Sequence, residues 1–375
     1  MGLTFWTSFV VLLAAGLYIG INKIHFEHNV VKLTSTRELT GKLAQTSQNT
    51  IKSIDKVAEG QIFGPECLVI HKNAIYSANL DGSIAKIVDG KVVKKLELFK
   101  NNPACRQHKC SQPLGIRYWK EEKFVFADGT LGIFVVDFKT EQFKQVCTAG
   151  YVIGKWPIGF ADDFDFIGEN TIVFSDMNPK CGMRNFVHCF MEYSKDGRII
   201  KLNLNTGELE IIVEDILTPN GVVAHPDKQS AIVASSVQSQ LYRVYYAGSK
   251  KGNVEVFADG LPGLPDNLRQ TSGGKTFWIA FYQSNVGGRP PIQVFSEYPS
   301  VRKVLNYFHH LLLPLEQLLF GNHVVFVEMD FDGNVVSSVH DPEGRLKVTT
   351  TVIDDGKYLY FGNLFTDYIG RALRP

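Results

Sequence analysis

Four short stretches place oxygen donors directly after a turn: "GPE" at residues 64–66, "FADD" at 160–163, "TPNG" at 218–221 and "LPDN" at 264–267. They supply the carboxylates of Glu66, Asp162 and Asp266 and the amides of Asn220 and Asn267. Three acids brought together in a dry interior repel one another and lose hydration, and a hard divalent cation relieves both penalties. An all-oxygen donor set of mixed charge, with no His or Cys at matching positions, selects calcium over zinc. Taken singly, Pro-Asn-Gly or Pro-Asp-Asn is an ordinary turn. Recurrence at corresponding places is what turns four such turns into a candidate cation site.

The stretches recur because the chain does. A unit of roughly fifty residues restarts near Glu66, Leu114, Asp162, Asn220 and Asp266, and each unit reads as four short alternating strands with turn residues between them. "ECLVI", "AIYSANL", "SIAKIV" and "KVVKKLEL" form one unit, and "NGVVAHP", "SAIVASS", "QLYRVYY" and "NVEVFAD" another. Four antiparallel strands at this period predict an all-β, six-bladed β-propeller over residues 51–375; a two-domain sandwich would not restart so regularly. The sixth unit has only three strands, and "SIDKVAEG", before the first restart, is expected to supply its fourth and close the ring, which also removes exposed edges. In a propeller the first strand of each blade lines the central channel, so the five donors should meet at one mouth. An apolar stretch at 301–320, helical in pattern and broken by Pro314, interrupts the fifth blade; it is expected to cover the mouth, rest on a bilayer or pack on the propeller's side.

The 375 residues carry 39 Lys+Arg against 38 Asp+Glu, and no basic block is interleaved with aromatics, which argues against a nucleic-acid partner. Residues 5–21 are uncharged and apolar, at the short end of a membrane span, and no Lys or Arg precedes them as in a signal peptide. Residues 1–22 are therefore expected to form a retained transmembrane helix, with 23–50 as linker. Lys23, Lys32 and Arg37 follow the run and alone would place the bulk in the cytosol. The six cysteines pull the other way: Cys105 and Cys110 bracket a short loop suited to a disulfide, "CGMRNFVHC" at 181–189 forms a second such loop, and Cys67 and Cys147 sit in strand-like runs.

Together, "GPE", "PLGIR" at 113–117, "FADDFDF" at 160–166, "PNGV" at 219–222 and "LPGLPDNLR" at 261–269 resemble the strictosidine synthase-like proteins, over roughly residues 55–375. The animal branch of that family carries an N-terminal membrane anchor, and the wider group includes the paraoxonases, six-bladed propellers with calcium in the channel that hydrolyse lactones and aryl esters. The resemblance implies central calcium ligands at Glu66, Asp162, Asn220, Asp266 and Asn267, the same five residues. It also implies an arylesterase-like hydrolase of small-molecule esters or lactones, in the lumen of the endoplasmic reticulum or outside the plasma membrane. The alternative is a membrane-tethered scaffold whose ion is structural.

The chain departs from the group's pattern. Asp162 stands where the family has Asn. Cys67 replaces the acid that helps hold a second calcium in paraoxonases, and their two water-activating histidines become Leu114 and Gly129. No counterpart appears for the glutamate of strictosidine synthase, so no catalytic residue is assigned. Asp163, beside the ligand position, reads either as a support behind the donors or as a turn residue, and Asp128 as a turn residue or a lining of the channel; His108 and His188 read as solvent-facing loop residues.

Overall fold

The computed structural model describes residues 25–102, 110–183, 185–308 and 322–375, together with Gly20, Ile21, Lys23 and Cys105. Residues 5–19 of the apolar run, His108 and residues 309–321 of the insertion lie outside the described residues. Among the described residues no helix is long and apolar enough to cross a membrane.

The strands form six four-stranded antiparallel sheets. The first blade comprises β2 (Pro65–His71), β3 (Ala74–Asn79), β4 (Ser83–Val88) and β5 (Lys91–Glu97), and the second β6 (Pro113–Lys120), β7 (Lys123–Asp128), β8 (Gly132–Asp137) and β9 (Gln142–Thr148). A small hairpin, β10 (Val152–Ile153) with β11 (Trp156–Pro157), leads to the third blade: β12 (Ala161–Gly168), β13 (Thr171–Asp176), β14 (Gly197–Asn203) and β15 (Leu209–Ile216). Helix α1 (Phe186–Glu192) lies between β13 and β14. The fourth blade is β16 (Pro219–Ala224), β17 (Ser230–Ser235), β18 (Gln240–Tyr245) and β19 (Val254–Ala258). In the fifth, β20 (Gly263–Gln270) and β21 (Thr276–Ser284) are separated from β22 (Val324–Asp330) and β23 (Val335–Asp341) by α2 (Pro291–Val294) and α3 (Pro299–Tyr307). The insertion thus starts before residue 301.

The sixth sheet runs β1 (Asp55–Val57), β26 (Ile369–Leu373), β25 (Tyr358–Asn363) and β24 (Thr349–Asp354), with Lys56 opposite Gly370. The expected closure is present: the N-terminal strand completes the last blade. Each neighbouring pair of blades shares one apolar cluster. Cys67, Tyr76 and Phe124 pack between the first and second blades, for example, and Trp278, Phe326 and Leu359 between the fifth and sixth. Alternation puts one side chain of every pair into such a cluster, so burial between blades is the main stabilising term.

One irregularity repeats. Strand register slips near the start of every inner strand: between Pro65 and Cys67, Pro113 and Ile116, Ala161 and Phe164, Pro219 and Val222, Pro265 and Leu268, and Thr349 and Thr351. A bulge takes a residue out of the ladder and re-aims its side chain. The residues these bulges release include all five predicted donors.

Candidate functional site

Glu66, Asp162, Asn220, Asp266 and Asn267 are each buried. Asn267 Nδ2 donates to Glu66 Oε1 at 2.6 Å, and the Asn220 side chain hydrogen-bonds Asp266. Burial pushes the Glu66 carboxyl up to about 7, the Arg269 charge opposing and the Asp163 charge adding to the shift. Burial, then the charges of Glu66 and Asp266, holds Asp162 well above the ordinary carboxylate range. Asp266 is raised too, by burial and then by Glu66. Glu66 Oε2, Asp162 Oδ2 and Asn220 Oδ1 are buried without a hydrogen-bond partner. The structure therefore brings the five predicted residues into one electrostatic neighbourhood and leaves three of their oxygens orphaned, a donor chemistry that fits a divalent cation. Among the described residues no group of three or more His, Cys, Asp or Glu is gathered as a metal-holding cluster. The carboxylates of Glu66, Asp162 and Asp266 are thus not gathered as such a cluster either.

Directly beneath lies a network the sequence did not announce. Asp163, read as a support behind the donors or as a turn residue, is fully buried and accepts from Arg269 Nη1 at 2.7 Å, from Arg117 Nη1 at 3.3 Å and from the Val222 amide at 2.9 Å. Burial alone would raise its pKa; the charges of Arg117 and Arg269 outweigh that and hold it below the usual value. Arg269 Nη2 also lies 2.7 Å from Cys67 Sγ and donates to Asn267 Oδ1 at 2.8 Å. A fixed guanidinium thus stands beside the thiol that replaces the acid of a second calcium site, and electrostatics disfavours a further cation there. One signal could have found the pair: Arg117 and Arg269 each follow the first residue back in register after the bulge, as does Asp165. Thr350, released by the bulge of the sixth blade, donates to the Glu66 carbonyl at 2.6 Å.

Towards the mouth the surroundings turn apolar. Leu80, Leu114, Phe160, Met177 and Leu364 form a buried cluster, flanked by Met183 and Phe186 from the segment that Cys181–Cys189 ties into a loop and by Phe190 just after it. A Cβ on Gly129 would stand 2.8 Å from the Phe160 ring and 2.9 Å from Leu114 Cδ1. The space a paraoxonase-type histidine would need there is filled with carbon. A cavity of about 730 Å³ lies at the opposite end of the channel, beyond the Arg117–Asp163–Arg269 layer, where Ile70, Asp165, Gln270 and Asp354 line it.

Other sequence readings resolve as follows. Asp128 is a structural carboxylate, accepting from Ser111 Oγ at 2.7 Å and from the amides of Gln112, Thr130 and Leu131. His188 does not simply face solvent: its Nδ1 is 2.7 Å from Asn306 Nδ2 and its Nε2 3.2 Å from Glu192, linking α1 to α3. Cys105–Cys110 is a disulfide as expected, and Cys67 and Cys147 are free and buried.

Residues 162–249 match the family model described as strictosidine synthase. A protein named adipocyte plasma membrane-associated protein from Danio rerio is 29% identical over 327 residues, covering 85% of this chain and 77% of the relative. The Homo sapiens protein of that name is 24% identical over 330 residues, covering 86% and 78%. Among solved structures, a calcium-binding protein, regucalcin, from Agrobacterium tumefaciens superposes with TM-score 0.55 at 14% identity, covering 86% of this chain and 94% of that one. A gluconolactonase from Xanthomonas campestris does so with TM-score 0.51 at 13% identity, covering 80% and 82%. At such identities these two structures speak for the propeller fold alone.

Proposed function

We propose, starting from a chain similar to strictosidine synthase and to the adipocyte plasma membrane-associated proteins, that it is a calcium-dependent hydrolase of esters or lactones. The observation that carries this reading is the set of orphaned oxygens on Glu66, Asp162 and Asn220 beside carboxylates forced upward in pKa. Those three residues, with Asp266 and Asn267, would hold the ion. A calcium ion bound there would polarise a substrate carbonyl and steady the developing oxyanion. The Arg269 guanidinium fixes Asn267 from below. Leu114, Phe160 and Met177 exclude bulk water and favour an apolar acyl or aryl group. With their oxygens on the ion, Asp162 and Glu66 would be only weak bases toward an attacking water, and no other residue is assigned that role. The apolar run at 5–21 would anchor the chain, with the propeller luminal or extracellular.

A second reading, a non-catalytic scaffold with a structural ion, is favoured by the carbon-filled space at Gly129. Purified full-length protein assayed on phenyl acetate and simple lactones separates the two. The hydrolase reading expects turnover that is abolished by chelator and restored by calcium, and lost in Asn220→Ala. Absent turnover, with Asn220→Ala lowering only the thermal midpoint, supports the scaffold, and turnover that survives chelator removes calcium dependence.

A further inference from the structure

The outer edge of the fifth blade is covered by the chain's own N-terminal segment. Residues 41–52 cross β23 as a strap before running on to β1. Thr50 bridges His340 in parallel; the His340 amide donates to the Asn49 carbonyl and the Ile51 amide to the His340 carbonyl, each at 2.8 Å. Arg345 Nη2 donates to the Ile51 carbonyl at 2.7 Å, and Leu43 and Ile51 enter the apolar clusters on either side of the blade.

Beneath the strap two histidines are joined in a polar chain. His340 is 0% exposed and Ser338 2%. Ser338 Oγ donates its one proton to the Lys42 carbonyl at 2.8 Å, so towards His340 Nε2, 3.0 Å away, it accepts. Nε2 therefore carries the hydrogen of the neutral ring, and Nδ1 accepts from His323 Nε2 at 2.9 Å. Both nitrogens are satisfied only while His340 is uncharged. A second proton would have to enter on Nδ1, where the His323 N–H already points. No free carboxylate faces the pair. Asp341, next on the strand, accepts from Arg345 Nε at 3.0 Å and from the Leu346 amide at 2.8 Å. In the turn that follows, Glu343 pairs with Arg345 and Lys347 bonds Asn322. The strap offers Lys42 and Lys52 and contains no Asp or Glu. An imidazolium at 340 would be a buried charge among cations and spent carboxylates.

We propose that His323 and His340 form an acid-operated clasp, which holds residues 41–52 on the fifth blade at neutral pH and releases them in an acidified compartment. The closed clasp accommodates one added proton at most; with the strap lifted, both rings meet water and each can take one. Burial holds both rings below the ordinary value of 6.5, and the Asp341 charge opposes this at His323. His340 is pushed down to about 4, the His323 charge adding to burial and a hydrogen bond to the Leu43 backbone opposing it. The closed-state value is the depressed one. The contribution to closure is therefore full above pH 6.5 and is lost as pH falls from there towards 4. Because the strap runs straight into β1, its release loosens the strand that closes the ring and leaves the donors at the mouth untouched. The inference is independent of whether the channel is catalytic.

The test uses the full chain at fixed calcium. Hydrogen–deuterium exchange, corrected for the intrinsic rate, is followed at about pH 7.5 and about pH 5 in peptides covering 41–52 and, as a control, β13 of the third blade. Protection of the strap should fall roughly tenfold or more on acidification while β13 keeps its own. His340→Gln stays polar but takes no charge, and should keep the strap protected at both pH values. Should that variant fail to fold, His323→Gln decides: with one titrating ring left, the strap should open at a lower pH than in the wild type. Equal strap protection at the two pH values would overturn the proposal, as would an acid loss left unmoved by either variant. A fall shared by β13 would do so too, since it would mark acid unfolding of the ring instead of release of the strap.

Discussion

At the scale of one residue, Glu66 is where the proposed cation would act. Its carboxyl is buried beside Asp162 and Asp266, and without a cation its pKa stands at about 7 against an ordinary 4.5. The folded state then keeps a proton that the unfolded state releases. Stability from this group is fully present below pH 4.5 and is lost as pH rises through about 7. Chelator-treated protein should therefore lose on the order of 2 kcal/mol across that window, and saturating calcium should abolish the loss. Thermal midpoints recorded from pH 4 to 8 with and without calcium check this. Asp162→Asn should flatten the chelator profile and weaken calcium roughly tenfold. A profile unchanged by calcium would dismiss the ion. The shared placement of Glu66, Asp162, Asn220, Asp266 and Asn267 was legible because each sits in a short turn motif. The arginine partners of Asp163 were not legible because they come from other blades.

At the scale of an element, the repeated bulge of the inner strand does the positioning. Regular alternation would send one of any two neighbouring residues into the blade, yet Asp266 and Asn267 both fall within a single register slip. Adjacent bulges nest closely: a Cβ on Gly221 would lie 2.2 Å from the Asp266 carbonyl oxygen and 2.6 Å from the Leu268 amide nitrogen. Gly221→Ala should force the two strands apart, costing about 1–3 kcal/mol and blunting the rise in thermal midpoint on adding calcium. Gly273→Ala, with nothing within 4 Å of the added carbon, should change neither. Equal behaviour of the two variants would mean that the bulges do not set the site. The elements themselves were readable from alternation and turn residues, whereas a bulge leaves no periodic trace because it is one residue out of step.

For the whole molecule, closure is the governing fact. β1 pairs with β26 through Asp55 opposite Arg371 and Val57 opposite Ile369, joining residues more than three hundred positions apart, as the Arg371 Nη2–Asp55 contact of 2.8 Å with its sequence separation of 316 shows. Removing 51–61 opens the ring between the first and sixth blades and exposes the cluster built on Val57, Ile62, Leu68 and Ile353. Such a deletion should abolish the single cooperative unfolding transition and increase dye binding to apolar surface. A sharp transition retained in calorimetry would mean that the ring closes without this strand. The closure was legible because the last repeat came up one strand short.

Alternation, turn residues and a fifty-residue period are local, so the sequence by itself determined the all-β propeller, its six blades and the donors at the start of the inner strands. The short spacing of Cys105 and Cys110 and of Cys181 and Cys189 made disulfide loops candidates there, and the structure decided that both form. What only the tertiary structure decided depends on side chains that meet across blades. It set Arg117 and Arg269 against Asp163 and Cys67, filled the space at Gly129 with Phe160, and turned α3 so that Arg302 faces inward. Those pairings are chosen by which groups can satisfy charge and volume in a shared interior, and no linear spacing encodes that.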